Sequence, residues 1–356
     1  MEPPTSVPRY VYRPLENLTT IRVLALHTAP VFGAPLKADI VHIDRKGLLL
    51  PASPNEYDID AHEDAPACRS YEAVSYCWGE ATFTHRLWCE NDWSYLMITP
   101  NLDVMLRRLR RPHKIRYLWI DAICLNQSDD LEKSEQVQLM GKIYEHARKV
   151  IFWMGEPDGE PIQALYDYIH SIVRTDQADL KHLHARFSEK YPGALYNYLH
   201  RPWFWRRWII QEAILAADAP VLCGGLKINW RVFLDVVREN LPEMITTGVS
   251  SPDQPTQSMP AQEVKAVIAH ISALSGRVYY MLDLLTTFHR SACSDPRDRL
   301  FALRGIALDV YDGIDFLRPS GDISFAVDYS KPWGVVYTDF ARACVEAGHG
   351  RHILNK

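Results

Sequence analysis

Residues 115–125 are near-continuously apolar, yet Asp121 stands inside the run. A strand of that kind is buried on both faces, as strands of parallel sheets are. A second such run, residues 150–154, follows a helical stretch at 131–148 in which Val137, Met140, Tyr144 and Ala147 share a stripe. Upstream, residues 71–78 read as a strand ending at Gly79. Residues 101–111 read as a helix, with Leu102, Met105, Leu106 and Leu109 at helical spacing and Pro112 closing it. Strand, helix, strand, helix, strand predicts a parallel α/β sheet with right-handed crossovers.

The flanks differ in character. Residues 1–67 are rich in Pro and turn formers, with a strand expected at 21–26 and a hairpin at 39–50. Beyond the central region a helical excursion is expected at 157–193, a helix at 203–217, a strand at 220–223 and a helix at 230–240. Residues 246–260 read as a loop, followed by helices at 261–289 and 294–308. The expected organisation is an N-terminal β-rich addition (1–67) packed on an α/β core (68–240), with a helical C-terminal part (241–356). For 356 residues this amounts to one large domain with additions or about two domains.

Composition excludes several classes. The chain is 47% hydrophobic and 23% charged, too apolar for disorder. Uninterrupted apolar runs stop at five residues, as in 150–154, so no membrane span is expected. The first residues, Met-Glu-Pro-Pro-Thr, do not resemble a secretory signal. Thirty-nine basic residues against 44 acidic ones give −5, which disfavours a nucleic-acid-coating surface. The seven cysteines lack C-x-x-C spacing, which argues against a zinc cluster or a disulfide framework and for a reducing, cytoplasmic setting. His182 and His184 have no third ligand type nearby, so they read as part of an exposed polar helix, and no metal site is expected.

Four segments carry candidate chemistry. Ser75-Tyr76-Cys77-Trp78-Gly79 sits at the carboxyl end of a predicted strand, where open parallel sheets bind ligands. There Gly79 permits close backbone approach and Tyr76 or Trp78 offers a stacking face; equally, the aromatics belong to the core and the glycine to a turn. Asp121, inside an apolar strand, must be paired or hydrogen-bonded. It serves either to orient a sugar hydroxyl or as a structural ion pair or cap, with Asn126 and Gln127 on the same rim. Asp129 and Glu132 have the spacing of a capping box. In the fourth segment, residues 201–212, a continuous helix places Trp208 and Glu212 at i and i+4 on one face. A carboxylate beside an indole is a candidate perturbed acid; the alternative is an ion pair with Arg206 or Arg207.

Two other features read as structure. Asp295, Pro296 and Asp298 mark a helix start. The basic stretch from Arg107 to Arg116 reads as a solvated helix end, with a phosphate or acidic contact as the alternative; a nucleic-acid role there predicts steep salt dependence.

Together these segments resemble the HET (heterokaryon-incompatibility) family of filamentous fungi. The resemblance rests on residues 71–79, Thr99-Pro-Asn101-Leu102, L-W-I-D-A-I-C-L-N-Q at 118–127, and Trp153-Met-Gly155. It continues through R-x-W-x-x-Q-E ending at Glu212, Cys223-Gly224, D-P-R-D-R-L-F-A-L from Asp295, and Asp328-Tyr329-Ser330. The resemblance implies a role in growth arrest and cell death when unlike fungal cells fuse. More distantly the pattern is similar to TIR domains, which are flavodoxin-like α/β modules. On that likeness Trp208-Ile-Ile-Gln-Glu212 corresponds to a W-C-x-x-E segment whose glutamate is catalytic in NAD+-cleaving members, with Ile209 in place of the cysteine.

What the resemblance implies is a TIR/flavodoxin-like core with Glu212 catalytic. Ser75, Tyr76, Trp78, Gly79, Asp121, Asn126, Gln127 and Trp208 line the nucleotide, and Arg207 meets its diphosphate. NAD+ or a related nucleotide is the implied substrate, with no tightly bound cofactor. The partners implied are further copies of the chain on activation and an upstream incompatibility protein. The competing expectation is the same fold used for oligomerisation and signal relay without turnover.

Overall fold

Every residue of the first strand, β1 (Thr20–Leu26), is buried. Its alternate side chains feed two cores: Ile21 and Val23 face one, Leu24 and Leu26 the other. A strand buried on both faces requires layers on both sides of its sheet, and the rest of the chain supplies them. The computed structural model describes residues 7–44, 71–216, 219–246, 279–311 and 322–351.

The main sheet is mixed and nine-stranded. It contains β1, β2 (Lys37–Asp44), β3 (Glu72–Tyr76), β4 (His85–Cys89), β5 (Ser94–Ile98), β6 (Arg116–Trp119), β7 (Lys149–Trp153), β8 (Pro220–Cys223) and β9 (Leu226–Asn229), in the order β5-β4-β2-β1-β6-β3-β7-β8-β9. The four strands β6-β3-β7-β8 run parallel to one another. Antiparallel pairs flank them, β1 against β6 on one side and β9 against β8 on the other. Residues 20–44, expected in an N-terminal addition, are therefore continuous with the sheet rather than laid on it.

The helices cover the two faces in the way parallel connections demand. From β3 the chain moves to β6 by way of the β4–β5 hairpin and α1 (Pro100–Leu109). From β6 it crosses back over β3 to β7 through α3 (Asp130–Glu145), which follows the short α2 (Asp121–Cys124). The two crossings run in opposite directions, so a common right-handedness places their helices on opposite faces. Accordingly Leu102, Met105, Leu106 and Leu109 of α1 pack with Val74, Ile151 and Trp153. Val137, Met140, Ile143 and Tyr144 of α3 pack with Ala73, Val150 and Phe152.

The connection from β7 to β8 holds α4 (Ile162–Arg174), α5 (Gln177–Lys190), α6 (Ala194–Leu199), a 3-10 turn (Pro202–Trp205) and α7 (Ile209–Ile214). After β9 come α8 (Trp230–Thr246), α9 (Met281–Thr287), α10 (Asp298–Arg304), a small parallel pair β10 (Val310–Tyr311) and β11 (Ile323–Ser324), and α11 (Trp333–Glu346). Most of the expected loop at 246–260 and the first part of the helix expected at 261–289 lie outside the described residues.

Three sequence expectations change. The capping box is half formed. Asp129 accepts from the backbone N–H groups of Leu131 and Glu132, but the Glu132 carboxylate instead binds Arg22 at 2.5 and 2.9 Å and the Asn126 N–H at 2.9 Å. Arg22 lies fully buried on β1, and a buried guanidinium claims a carboxylate ahead of a backbone donor. His184 is buried, not exposed, and pairs with the Tyr168 hydroxyl at 2.6 Å.

The basic stretch is the third change, because most of it is committed within the chain. Arg107 and Arg110 bind carbonyls of residues 31–35, Arg108 binds Glu156, and Arg116 binds the buried Glu72. Among the described cysteines six are free thiols.

Helices α3, α7 and α10 approach most closely around two glycines. A Cβ on Gly305 would lie 2.5 Å from Gln211 Oε1 and 3.2 Å from the Gly141 Cα. Gly305→Ala is therefore expected to lower stability by about 1–3 kcal/mol through overpacking, measured by urea unfolding.

Candidate active site

β3 alternates its side chains: Ala73 faces the α3 side with Tyr71, while Val74 and Tyr76 face the α1 side. Ser75 therefore enters the α3 side at the carboxyl end of the strand, opposite Phe152 in the ladder. It is a polar residue among apolar ones, 1% exposed, so its hydroxyl needs partners. It donates to Glu212 Oε2 and accepts from Trp203 Nε1 at 2.8 Å. The Tyr144 hydroxyl, from α3, donates to the Val74 carbonyl at 3.4 Å and stands near enough to Glu212 to favour its ionised form. The Trp203 ring packs at 4.8 Å on Phe152.

This cluster occupies a topological switch point. In chain order β3, β6, β7 and β8 stand in the sheet as 2-1-3-4, and connections leave β3 and arrive at β7 on opposite faces. The gap beyond the carboxyl ends of β3 and β7 is where open α/β sheets bind ligands. The segment Cys77-Trp78-Gly79 crosses it. Gly79 has φ +75°, which favours glycine. The turn is pinned by Asn101, which donates to the Cys77 carbonyl at 2.5 Å and accepts from Trp153 Nε1 at 3.1 Å. Thr99 Oγ1 donates to the Trp78 carbonyl at 3.3 Å.

Charge at the rim comes from three side chains. Glu212 is 1% exposed. Burial pushes its pKa from an ordinary 4.5 to about 7, against the pull of Arg206 and the Ser75 hydrogen bond, with Asp121 adding to the rise. Arg206 donates to the Tyr76 carbonyl. Burial pulls its pKa down, but Glu212, Cys77 and Asp121 outweigh that and leave it raised. Asp121 accepts the Trp78 indole N–H at 3.0 Å to each oxygen and the Ala122 N–H at 2.8 Å. Its pKa is raised by burial, opposed by Arg206. Contrary to expectation Asp121 is not inside the strand: β6 stops at Trp119, and Asp121 opens the one-turn helix α2.

The structure gathers Ser75, Trp78, Gly79, Asp121 and Glu212 at this rim; Tyr76 contributes its carbonyl, bound by Arg206, while its ring is buried in the α1-side core and offers no stacking face. Gln127 supports the rim, donating to the Asp121 carbonyl at 3.1 Å. Asn126 does not join them. Its side chain caps a local turn through Ser128, and it lines a separate depression with Tyr12, Leu15 and Leu131.

Arg207 and Trp208 must be reassigned, because the expected helix from 203 is broken. A 3-10 turn ends at Trp205, Arg206 is extended with φ −70° and ψ 141°, and α7 starts at Ile209. Successive side chains of an extended segment point to opposite sides. Arg206 therefore reaches the rim, while Arg207 is buried away from it against the carbonyls of Phe288 and Arg299. Trp208 turns to Asp298, donating at 2.9 Å. The indole beside Glu212 is Trp203, not Trp208.

Sequence reasoning missed Trp203 and Tyr144 as members of the site, and brought in Arg206 only as an alternative ion-pair partner of Glu212. Tyr144 carried a usable signal, since a phenol hydroxyl in an otherwise apolar helical stripe needs a buried partner.

Comparison with known proteins places this geometry in context. Residues 71–212 match the family described as heterokaryon incompatibility protein (HET). That segment starts at the residue before β3, ends on Glu212, and contains every side chain of the rim cluster. The chain is also 26% identical over 332 residues to heterokaryon incompatibility protein 6, OR allele, of Neurospora crassa. The similarity covers 78% of this chain and 47% of that relative, so the chain spans about half the relative's length. No solved structure matches.

The raised pKa of Glu212 sets a pH dependence. Between an unfolded value near 4.5 and a folded value of about 7 the folded state holds the extra proton, so stability falls as pH rises through that window and is level above it. From pH 5 to pH 8 the wild type is expected to lose on the order of 2–3 kcal/mol more than Glu212→Gln, measured by urea unfolding at each pH.

Proposed function

We propose that this protein is an incompatibility-type cell-death effector of the fungal kind, and that its rim cluster cleaves NAD+ at the bond between nicotinamide and ribose. The match over residues 71–212 supports the cell-death role. The strand order 2-1-3-4 agrees with the first four strands of the flavodoxin-like order 2-1-3-4-5, with an antiparallel β9 in the fifth place, and this partial agreement is the support for a TIR-like reading of the core. One observation carries the enzymatic reading: the Glu212 carboxylate folds back to the switch point beside an indole, hydrogen-bonded to Ser75 and poised to ionise near neutrality.

The chemistry fits a single carboxylate. The C1′–N1 bond breaks with its electron pair leaving on nicotinamide, which departs neutral and needs no acid. The ribosyl residue becomes oxocarbenium-like. Ionised Glu212 stabilises that charge. A water then bonds to C1′ and gives up its proton to Glu212, leaving ADP-ribose. A general base is most useful when its pKa is near the working pH. Ser75 holds the carboxylate's orientation, and Arg206 and Tyr144 favour its ionised form. Asp121 and Trp78, at the open side of the rim, are assigned to the ribose hydroxyls and the nicotinamide ring.

Glu212 is sealed in this structure, at 1% exposure. The Cys77–Gly79 turn must shift to admit substrate, and we assign that shift to self-association. The same sealing favours a second reading, a non-catalytic module that oligomerises and relays the signal.

The two readings separate in one experiment. Purified protein, free and fused to a forced-oligomerisation tag, is incubated with NAD+ and released nicotinamide is quantified by chromatography. The expected outcome is release by the assembled wild type and a drop of about 100-fold or more in Glu212→Gln. No release from either form, with cell killing retained by Glu212→Gln, establishes the non-catalytic module instead.

A further inference from the structure

Two ionisable groups, the buried Arg207 and the half-buried Asp298, take no part in the rim chemistry, and both lie at the root of α7. Arg207 is 1% exposed, yet the hydrogen-bond partners of its guanidinium are the backbone carbonyls of Phe288 and Arg299, at distances of up to 3.2 Å. Burial lowers its pKa to about 10. Asp298 is the reverse case, a carboxylate held by neutral donors. It accepts Trp208 Nε1 at 2.9 Å on one oxygen and the Tyr329 hydroxyl at 2.6 Å on the other. Burial raises its pKa against those two hydrogen bonds.

Backbone bonds join the same two segments. Ala292 N–H donates to the Trp205 carbonyl at 2.6 Å, and Arg207 N–H donates to the Ala292 carbonyl at 2.8 Å. The residue these bonds bracket is Arg206, which forms an isolated bridge with Ala292. Tyr329 is itself fixed to α3, since its N–H donates to Ser134 Oγ at 2.9 Å.

We propose that Asp298 is a positioning residue for Glu212: it clamps the start of α7 between α10 and the Tyr329 segment, and so holds the carboxylate on Ser75. The inference builds on the assignment of Glu212 as the working carboxylate. Helix α7 has six residues, too few to be stable by itself. Its pitch is set from outside, by the 3-10 turn before it and by what grips residues 207 and 208. Glu212 lies one turn along, and its N–H donates to the Trp208 carbonyl at 3.3 Å. The clamp is supplied by residues 288–299 and Tyr329, which lie beyond the matched segment 71–212. The site therefore needs chain that the family match does not cover. The D-P-R-D and Asp328-Tyr329-Ser330 motifs acquire a role in this way.

The test reads Glu212 directly. The 356-residue chain, labelled with carbon-13 at the glutamate side-chain carboxyls, is titrated by NMR, with Glu212→Gln identifying the signal. Asp298→Asn keeps the shape but offers one acceptor to two donors. Trp208→Phe and Tyr329→Phe each remove one donor and keep the ring. The expected result is a near-neutral midpoint in the wild type and a shift of about one pH unit or more toward the ordinary value in Asp298→Asn, as water reaches the loosened carboxylate. Smaller shifts of the same sign are expected in the two milder variants.

Unchanged midpoints in folded variants, with only the melting temperature lowered, overturn the proposal and leave Asp298 a purely structural residue. If Asp298→Asn does not fold, the two milder variants decide. Nicotinamide release from NAD+ is measured on the same samples. A silent wild type whose Glu212 signal still shifts with Asp298 discards the catalyst and keeps the clamp. An active wild type whose kcat–pH profile is untouched by Asp298→Asn discards the clamp and keeps the catalyst.

Discussion

A carboxylate under an apolar sheet must find partners or take up a proton, and the arrangement around Glu212 follows from that requirement. Ser75 is the one side chain of β3 on that face able to hydrogen-bond, and it stands where the strand ends. Tyr144 is the hydroxyl that α3 presents at the same level. Arg206 supplies the positive charge without a direct ion pair, because its guanidinium is turned to the Tyr76 carbonyl. The result is a carboxylate stabilised well enough to stay buried and too weakly to stay ionised at every pH, which is why its pKa settles at about 7.

The same requirement explains the break before α7. A continuous helix from residue 203 would put Arg206 and Arg207 about 100° apart on one cylinder. The extended residue at 206 sends them to opposite sides. One cation then serves the rim, and the other binds the carbonyls of Phe288 and Arg299 where the C-terminal layer meets the core. Pro202 at the first position of the 3-10 turn starts the departure from regular helix, and the Ala292 bridge fixes it.

Much of the core was legible in the sequence because burial on both faces leaves a plain pattern. The runs at 21–26, 71–78, 150–154 and 220–223 became β1, β3, β7 and β8, and the leucine spacing at 101–111 became α1. The rim was legible only in outline. Ser75, Tyr76, Trp78 and Gly79 were singled out because strand ends carry ligand chemistry, Asp121 because it is a carboxylate in an apolar run, and Glu212 by its spacing from Trp208 and its likeness to a W-C-x-x-E segment. Trp203 was not, and Arg206 could not be told from Arg207 as the partner of Glu212, because an apolar and aromatic stripe reads the same through a 3-10 turn as through a helix. The single extended residue that exchanges the roles of Arg206 and Arg207 depends on Ala292, some 85 positions away. Glu132 escaped for a related reason: local spacing offered it a cap, and a distant arginine took it.

These long-range corrections fall where polar groups are buried, and that is informative. A fold optimised for stability alone would fill the Ser75, Glu212 and Arg206 positions with apolar side chains of similar volume, since buried charge is often neutral or costly to stability relative to such packing. An acid, a hydroxyl and a guanidinium at the switch point, with a second set of polar contacts at Arg207 and Asp298 fixing their backbone, is what the proposed role of the acid requires. Glu72 with its arginines and Arg22 with Glu132 show what structural ion pairs look like in this chain: multidentate, directly paired and pinning loops. Glu212 is built differently. Its hydrogen-bond partner is one hydroxyl, with a phenol and an offset cation nearby, a set that suits the working acid or base proposed for it.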